Sequence, residues 1–244
     1  MRALSALELL EVWERGLAQG PVERALTLLA AACPETPLEV LASFSIGRRD
    51  ADLLTLRERT FGSQMASVAM CPQCGEQLEF SFSAADLRVS PPSEPEQVTV
   101  LTVDGYELQF RPPNSLDLAA LISQPDPADQ QRLLIESCLL VAHREGEPIA
   151  VAQLPANIID AIEDGMARAD PQADVRLAIS CPACNHQWQG IFDIVTFFWS
   201  EIESWASRIL HEVHLLASAY GWHEREILAL SPRRRQFYLD RVSG

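Results

Sequence analysis

The sequence predicts an α+β chain in which helices hold the majority. Three observations lead there. Long stretches near both ends repeat apolar residues every three to four positions, two shorter stretches alternate with period two on either side of a Cys-x-x-Cys pair, and an Asp-Gly dipeptide joins two further β-rich runs. With 244 residues, 48% of them hydrophobic and 22% charged, the chain can bury one large core or two modest ones.

Residues 4–18 place Leu4, Leu7, Leu10, Val12, Trp13 and Leu17 at helical spacing, and Gly20-Pro21 stops that helix before a second at about 22–33. After "PETP" and a short run, "RRDADLLTLRERTFG" reads as an amphipathic helix ended by Gly62. From residue 64 the period becomes two: "QMASVAM", "CPQC" and "EQLEFSFSA" describe two strands joined by a thiol-bearing turn. The proline-rich connection "VSPPSEPEQ", 89–97, leads to a second hairpin at about 98–111 around Asp104-Gly105.

Asn114-Ser115 opens a short helix, and a longer one is expected from about 127 to 142 with Leu133, Leu134, Leu139 and Leu140 on its apolar side, broken by "EGEP". "PANIIDAIEDGMARA" resumes as a helix with Pro155 at its start. "DVRLAIS", "CPAC" and "HQWQGIFDI" repeat the thiol-tipped hairpin, and 195–220 is a strongly amphipathic helix followed by two shorter helices broken at Ser231-Pro232. The expected segments are an N-terminal helical region (1–63), a first knuckle hairpin (64–88), a hairpin plus helical insertion (98–168), a second knuckle hairpin (172–193) and a helical C-terminal arm (195–244).

Nineteen basic residues, all arginine, stand against 34 acidic ones, a net charge of −15. That balance repels a phosphate backbone, so nucleic acid is a disfavoured partner. Glu8, Glu11 and Glu14 interrupt the N-terminal apolar pattern, so no secretory signal core is present, and no apolar stretch reaches the ~20 residues of a membrane span. The expectation is a cytoplasmic protein without membrane insertion.

In a reducing compartment Cys-x-x-Cys points to metal or redox chemistry before it points to a structural disulfide. Cys71 and Cys74, then Cys181 and Cys184, lie 106 residues apart in the near-identical tips C-P-Q-C-G and C-P-A-C-N. Two such turns supply the four soft ligands of one tetrahedral Zn2+ site, a split four-cysteine zinc-ribbon-like pair of hairpins. A redox dithiol and unbound buried thiols are the competing readings. Four thiolates leave no open coordination position, so one zinc would be structural; His186 is the single candidate substitute ligand and is expected to lie beside the ligands or exposed rather than among them. Cys33 and Cys138 lie on apolar helical patterns and read as buried small hydrophobes.

"HEVH", 211–214, spaces its histidines at i and i+3, unlike the i, i+4 pair of zinc proteases, and no phosphate loop or nucleophile elbow is present. Nothing positive supports catalysis. A zinc-ribbon adaptor of nucleic-acid or transcription machinery is the runner-up. It requires a basic surround, whereas Glu76, Glu79, Asp86, Asp174 and Asp193 flank the knuckles.

Four blocks, "SIGRRDADLLTLRERTFG", "RPPNSLDLAAL", the second "CPAC" and "ILHEVHLLASAYGWHEREILALSPRRRQFYLDRV", together with the first "CPQCG", resemble the T4-type bacteriophage baseplate family. That family occurs in contractile-tailed phages and phage-derived contractile injection systems, and the terminal "YGWHEREILALSPRRRQFYL" is the most specific part of the likeness. The resemblance implies a non-enzymatic part or assembly factor of a baseplate hub, with other baseplate or tail proteins as partners and no small-molecule substrate. Carried onto this sequence, it implies Cys71, Cys74, Cys181 and Cys184 as zinc ligands. Trp222, Ile227, Leu228, Arg234 and Tyr238 are the implied contact residues, or equally the residues that pack the terminal helices on the body.

Overall fold

Ser5 starts the first helix, α1 (Ala6–Gly16): its hydroxyl accepts from the Glu8 amide while the Glu8 carboxylate accepts from the Ser5 amide at 2.9 Å. The computed structural model in which this is seen describes residues 1–89 and 98–242. The proline-rich connection lies outside the described residues except for Val89. The chain divides into two units, Met1–Glu35 with Ile194–Gly244, and Thr36–Asp193.

In the first unit, α1 is followed by α2 (Pro21–Ala32), with Pro21 at a position whose N–H has no intrahelical partner. The long helix α8 (Ile194–Tyr220) buries Phe198, Ile202, Ala206, Ile209, Val213 and Leu216, a stripe stepping by three and four residues. Gly221, at φ +67°, ends it, and α9 (Glu224–Ala229) and α10 (Pro232–Val242) follow. Leu10 of α1, Ile227 and Leu228 of α9 and Leu239 of α10 close over the lower half of that stripe. Gly16 lies directly against the Trp199 ring, where a Cβ would be inside van der Waals contact.

The second unit begins with α3 (Leu38–Ser43) and α4 (Ile46–Phe61), which Ser45 caps and Gly62 ends at φ +91°. Strands β1 (Gln64–Met70) and β2 (Gln77–Ser83) form the first thiol-tipped hairpin, and β7 (Arg176–Ser180) and β8 (Gln187–Ile191) the second, both antiparallel. Between them in the chain comes a four-stranded antiparallel sheet in the order β3 (Thr99–Val103), β4 (Tyr106–Phe110), β5 (Leu139–Arg144), β6 (Glu147–Pro148). Asp104 and Gly105, at φ +50° and +79°, make the two-residue turn expected for that dipeptide, and Glu145-Gly146 makes a second of the same sign.

Helices α5 (Ser115–Leu121), α6 (Pro127–Cys138) and α7 (Ala156–Ala169) complete the unit. One core cluster of it is Tyr106, Leu108 and Phe110 of β4 against Ile135 and Cys138 of α6 and Ile158 and Ile162 of α7. The family of small antiparallel sheets in a helix-majority chain is the α+β class expected from the sequence. One element differs. The helix expected to continue to 142 ends at Cys138, and Leu139–Arg144 is a strand, because Leu139 pairs with Phe110 and the Arg111 amide donates to the Cys138 carbonyl. "EGEP" is therefore a hairpin turn rather than a helix break.

Candidate metal centre

The two cysteine turns are built alike from the backbone upward. In the first, the Cys71 amide donates to the Glu76 carbonyl at 2.9 Å and the Gly75 amide to the Cys71 carbonyl at 2.9 Å. In the second, the Cys181 amide donates to the His186 carbonyl at 2.9 Å and the Asn185 amide to the Cys181 carbonyl at 2.9 Å. The residue after each pair must adopt positive φ: Gly75 sits at +74° and Asn185 at +58°, the two residue types that accept it most easily. Exposure repeats too, with Cys71 and Cys181 buried and Cys74 and Cys184 further out.

The fold then brings the two turns tip to tip. Cys71 Sγ lies 3.7 Å from Cys184 Sγ, Cys74 Sγ lies 3.6 Å from Cys181 Sγ, and all four sulfurs fall within 4.8 Å of one another. Each short contact joins the first cysteine of one turn to the second of the other, a local two-fold arrangement. Four thiolates held about 2.3 Å from one tetrahedral ion would stand about 3.8 Å apart, close to the 3.6 and 3.7 Å of the two short pairs, so the donor set could hold a metal. No bond joins the sulfurs to each other; all four cysteines are free thiols.

The electrostatics follow from that crowding. Burial pushes the Cys71 thiol up, but the amides of Cys74 and Gln73 and the neighbouring thiols outweigh it and bring it down to about 7. At Cys74 the Glu76 amide works the same way, yet the thiols of Cys184, Cys71 and Cys181 together with burial raise it to about 12. A divalent cation placed among these sulfurs would favour the ionised thiolates that bind it.

Two further contacts hold the hairpins at their bases. Gln172, buried before β7, donates from Nε2 to the Leu87 carbonyl at 3.0 Å and accepts from the Val89 amide at 2.9 Å. Phe82 at the end of β2 meets Phe192 after β8 edge to face, ring centroids 5.7 Å apart. Nothing in the sequence singled out Gln172. Its partners are main-chain groups 83 and 85 residues away, which no local pattern announces.

His186, the candidate substitute ligand, is not part of the cluster: its ring stacks on Trp188 at 5.8 Å. Of the contact residues implied by resemblance, Ile227 and Leu228 are buried in the first unit's core, Trp222 and Tyr238 are half-buried, and Arg234 is exposed. The histidines of "HEVH" lie on α8 and belong to no group of metal-binding side chains among the described residues. No helix of the described residues is long and apolar enough to cross a membrane.

Comparison with known proteins adds one match. Residues 9–199 fit the family described as T4 bacteriophage base plate protein, a span that includes both cysteine turns and ends within α8. The terminal stretch 220–239, the most specific part of the likeness in the sequence, lies beyond it. No curated protein and no solved structure matched. A match over most of the chain makes this protein a member of the T4 bacteriophage base plate protein family.

Proposed function

We propose that the protein is a non-enzymatic structural or assembly component of the baseplate hub of a contractile phage tail or phage-derived contractile injection system. It acts through contacts with other baseplate or tail proteins and is stiffened by one structural Zn2+ held by Cys71, Cys74, Cys181 and Cys184. The family match over residues 9–199 is the observation that carries the baseplate reading. The four-thiol cluster supports the metal: four sulfurs saturate a tetrahedral ion, leaving no position at which water could be activated, so its contribution is cohesion. The exposed Glu76 and Glu79 beside the first turn argue against a phosphate backbone as partner.

Two measurements test this. Purified protein analysed for metals is expected to carry one zinc per chain, lost on chelation; two zincs per chain, or none with two disulfides, would refute the shared site. Quantitative mass spectrometry of baseplate assembly intermediates from the native host is expected to find the chain beside tail proteins. Its absence from every intermediate and finished particle would refute the baseplate role.

A further inference from the structure

We infer that the outer face of α10 is a docking surface for an acidic amphipathic segment of another protein. The inference deepens the proposed function, since it names the chemistry of one partner of a protein that works by contact.

The face is built on a small aromatic cluster. Tyr220 stacks on Trp222 at 4.8 Å, Tyr238 meets Trp222 edge to face at 4.9 Å, and Phe237 meets Tyr238 at 5.6 Å. Trp222 and Tyr238 turn inward onto the unit's core. Phe237 is left 56% exposed and Tyr220 40% exposed, so both rings keep an outer face open to solvent among the described residues. Arg241 lies over the Phe237 ring, its guanidinium carbon 5.2 Å from the centroid.

The charge is as distinctive as the rings. On α10 Arg233, Arg234 and Arg241 are exposed against one exposed acid, Asp240, a balance of three minus one, or +2, in a chain that carries −15. Asp240 is already engaged by the Gln236 amide at 2.7 Å. Arg235, between the exposed arginines, is turned inward to Glu212 and the Leu230 carbonyl, which fixes the helix and so the direction in which its neighbours point. The preceding helix α9 carries Glu224, Glu226 and Arg225, so the basic character belongs to α10 alone.

Arg234, Phe237 and Arg241 recur at i, i+3 and i+7, one stripe of a helix. Exposed aromatic rings with arginines are the composition of binding hot spots. Carboxylates in the partner would meet the guanidiniums, and an apolar side chain between them would cover Phe237 and Tyr220. A second copy of this chain would oppose arginine to arginine across a two-fold contact. A nucleic acid would meet a local +2 backed by the field of the whole acidic chain.

The test uses the full chain and overlapping fluorescent peptides covering the baseplate and tail proteins encoded beside its gene, with a DNA duplex as a second probe. The expected result is binding to an acidic peptide that weakens with salt. Arg234→Glu and Phe237→Ala should each weaken it roughly tenfold or more, while Arg225→Glu on α9 stays within roughly twofold. Reversing the peptide's acidic residues to arginine should restore binding to Arg234→Glu. Circular dichroism melts check that each variant folds, with Phe237→Leu replacing Phe237→Ala if the latter does not. The inference is overturned if no peptide binds, if the bound peptides are not acidic, if Arg234→Glu leaves affinity unchanged, or if the duplex binds more tightly than any peptide. Should the chain still enter baseplate intermediates under any of those results, the docking face fails and the baseplate role stands.

Discussion

Replacing Cys181 with serine and Cys74 with serine, singly and together, tests whether the two turns act as one site. Joining them closes a loop of 106 intervening residues, 75–180. Chain-entropy reasoning puts such a constraint at about 5 kcal/mol for the unfolded state it restricts. Either single substitution removes one of four ligands and, by releasing the metal, opens the loop, so each is expected to cost about 3–5 kcal/mol when metal is present. Once one ligand is gone the loop is already open, and the second substitution should add less than about 1 kcal/mol. The assay is urea unfolding at fixed zinc, followed by the fluorescence of Trp188, the one tryptophan between residues 36 and 193, with Trp188→Phe to subtract the remaining four. A double variant whose loss equals the sum of the singles would refute the shared site. So would a chelator that leaves the unfolding midpoint unmoved.

Three further outcomes follow from the geometry. Arg111 donates to both oxygens of Asp117 at 2.6 and 2.9 Å and to the Ser137 carbonyl at 3.0 Å, so Arg111→Met should cost about 3–5 kcal/mol in urea unfolding by leaving the Asp117 carboxylate buried without its cation. Gln172→Ala removes both bonds at the base of the hairpins and should cost about 1–3 kcal/mol while speeding zinc loss to chelator less than Cys→Ser does, read by a colorimetric chelator. Burial pushes the Asp50 carboxyl up to about 6, with the Arg49 guanidinium opposing it. A carboxyl raised by folding destabilises while ionised, and that penalty is relieved as pH falls through about 6 towards 4. Asp50→Asn should therefore remove up to about 1.4 kcal/mol per pH unit from the slope of stability in that window, measured as the difference from wild type at each pH.

The pairs that announced themselves in the sequence were those whose partners are near. Asp104-Gly105 specified its turn because only certain residues accept positive φ at both central positions, and Gly62 ended α4 for a related reason. The cysteine turns were legible because their tips repeat, although nothing in the 106 residues between them shows that they meet. Leu139–Arg144 was hidden: "LLIESCLLVA" is apolar without a decisive period, and only pairing with β4 makes its second half a strand. The grouping of α1 and α2 with α8 to α10 was equally silent, since helical stripes such as Ile202, Ala206 and Ile209 show that a face is buried but not against what. Gln172 was invisible for the same cause, a polar side chain whose partners are distant backbone groups.

The equal construction of the two turns has a consequence in time. During synthesis the first pair of thiols emerges complete in its own hairpin, with every local hydrogen bond available, while its counterpart is still untranslated. At ordinary rates of about 5–20 residues per second the intervening chain takes roughly 5–20 s to appear. For that interval Cys71 and Cys74 are an open, reactive dithiol, and only when Cys184 has emerged can the four sulfurs gather. Closure therefore reports that the chain has been made at least to residue 184, and a fragment that stops short keeps its thiols exposed to oxidation and to the cell's quality control.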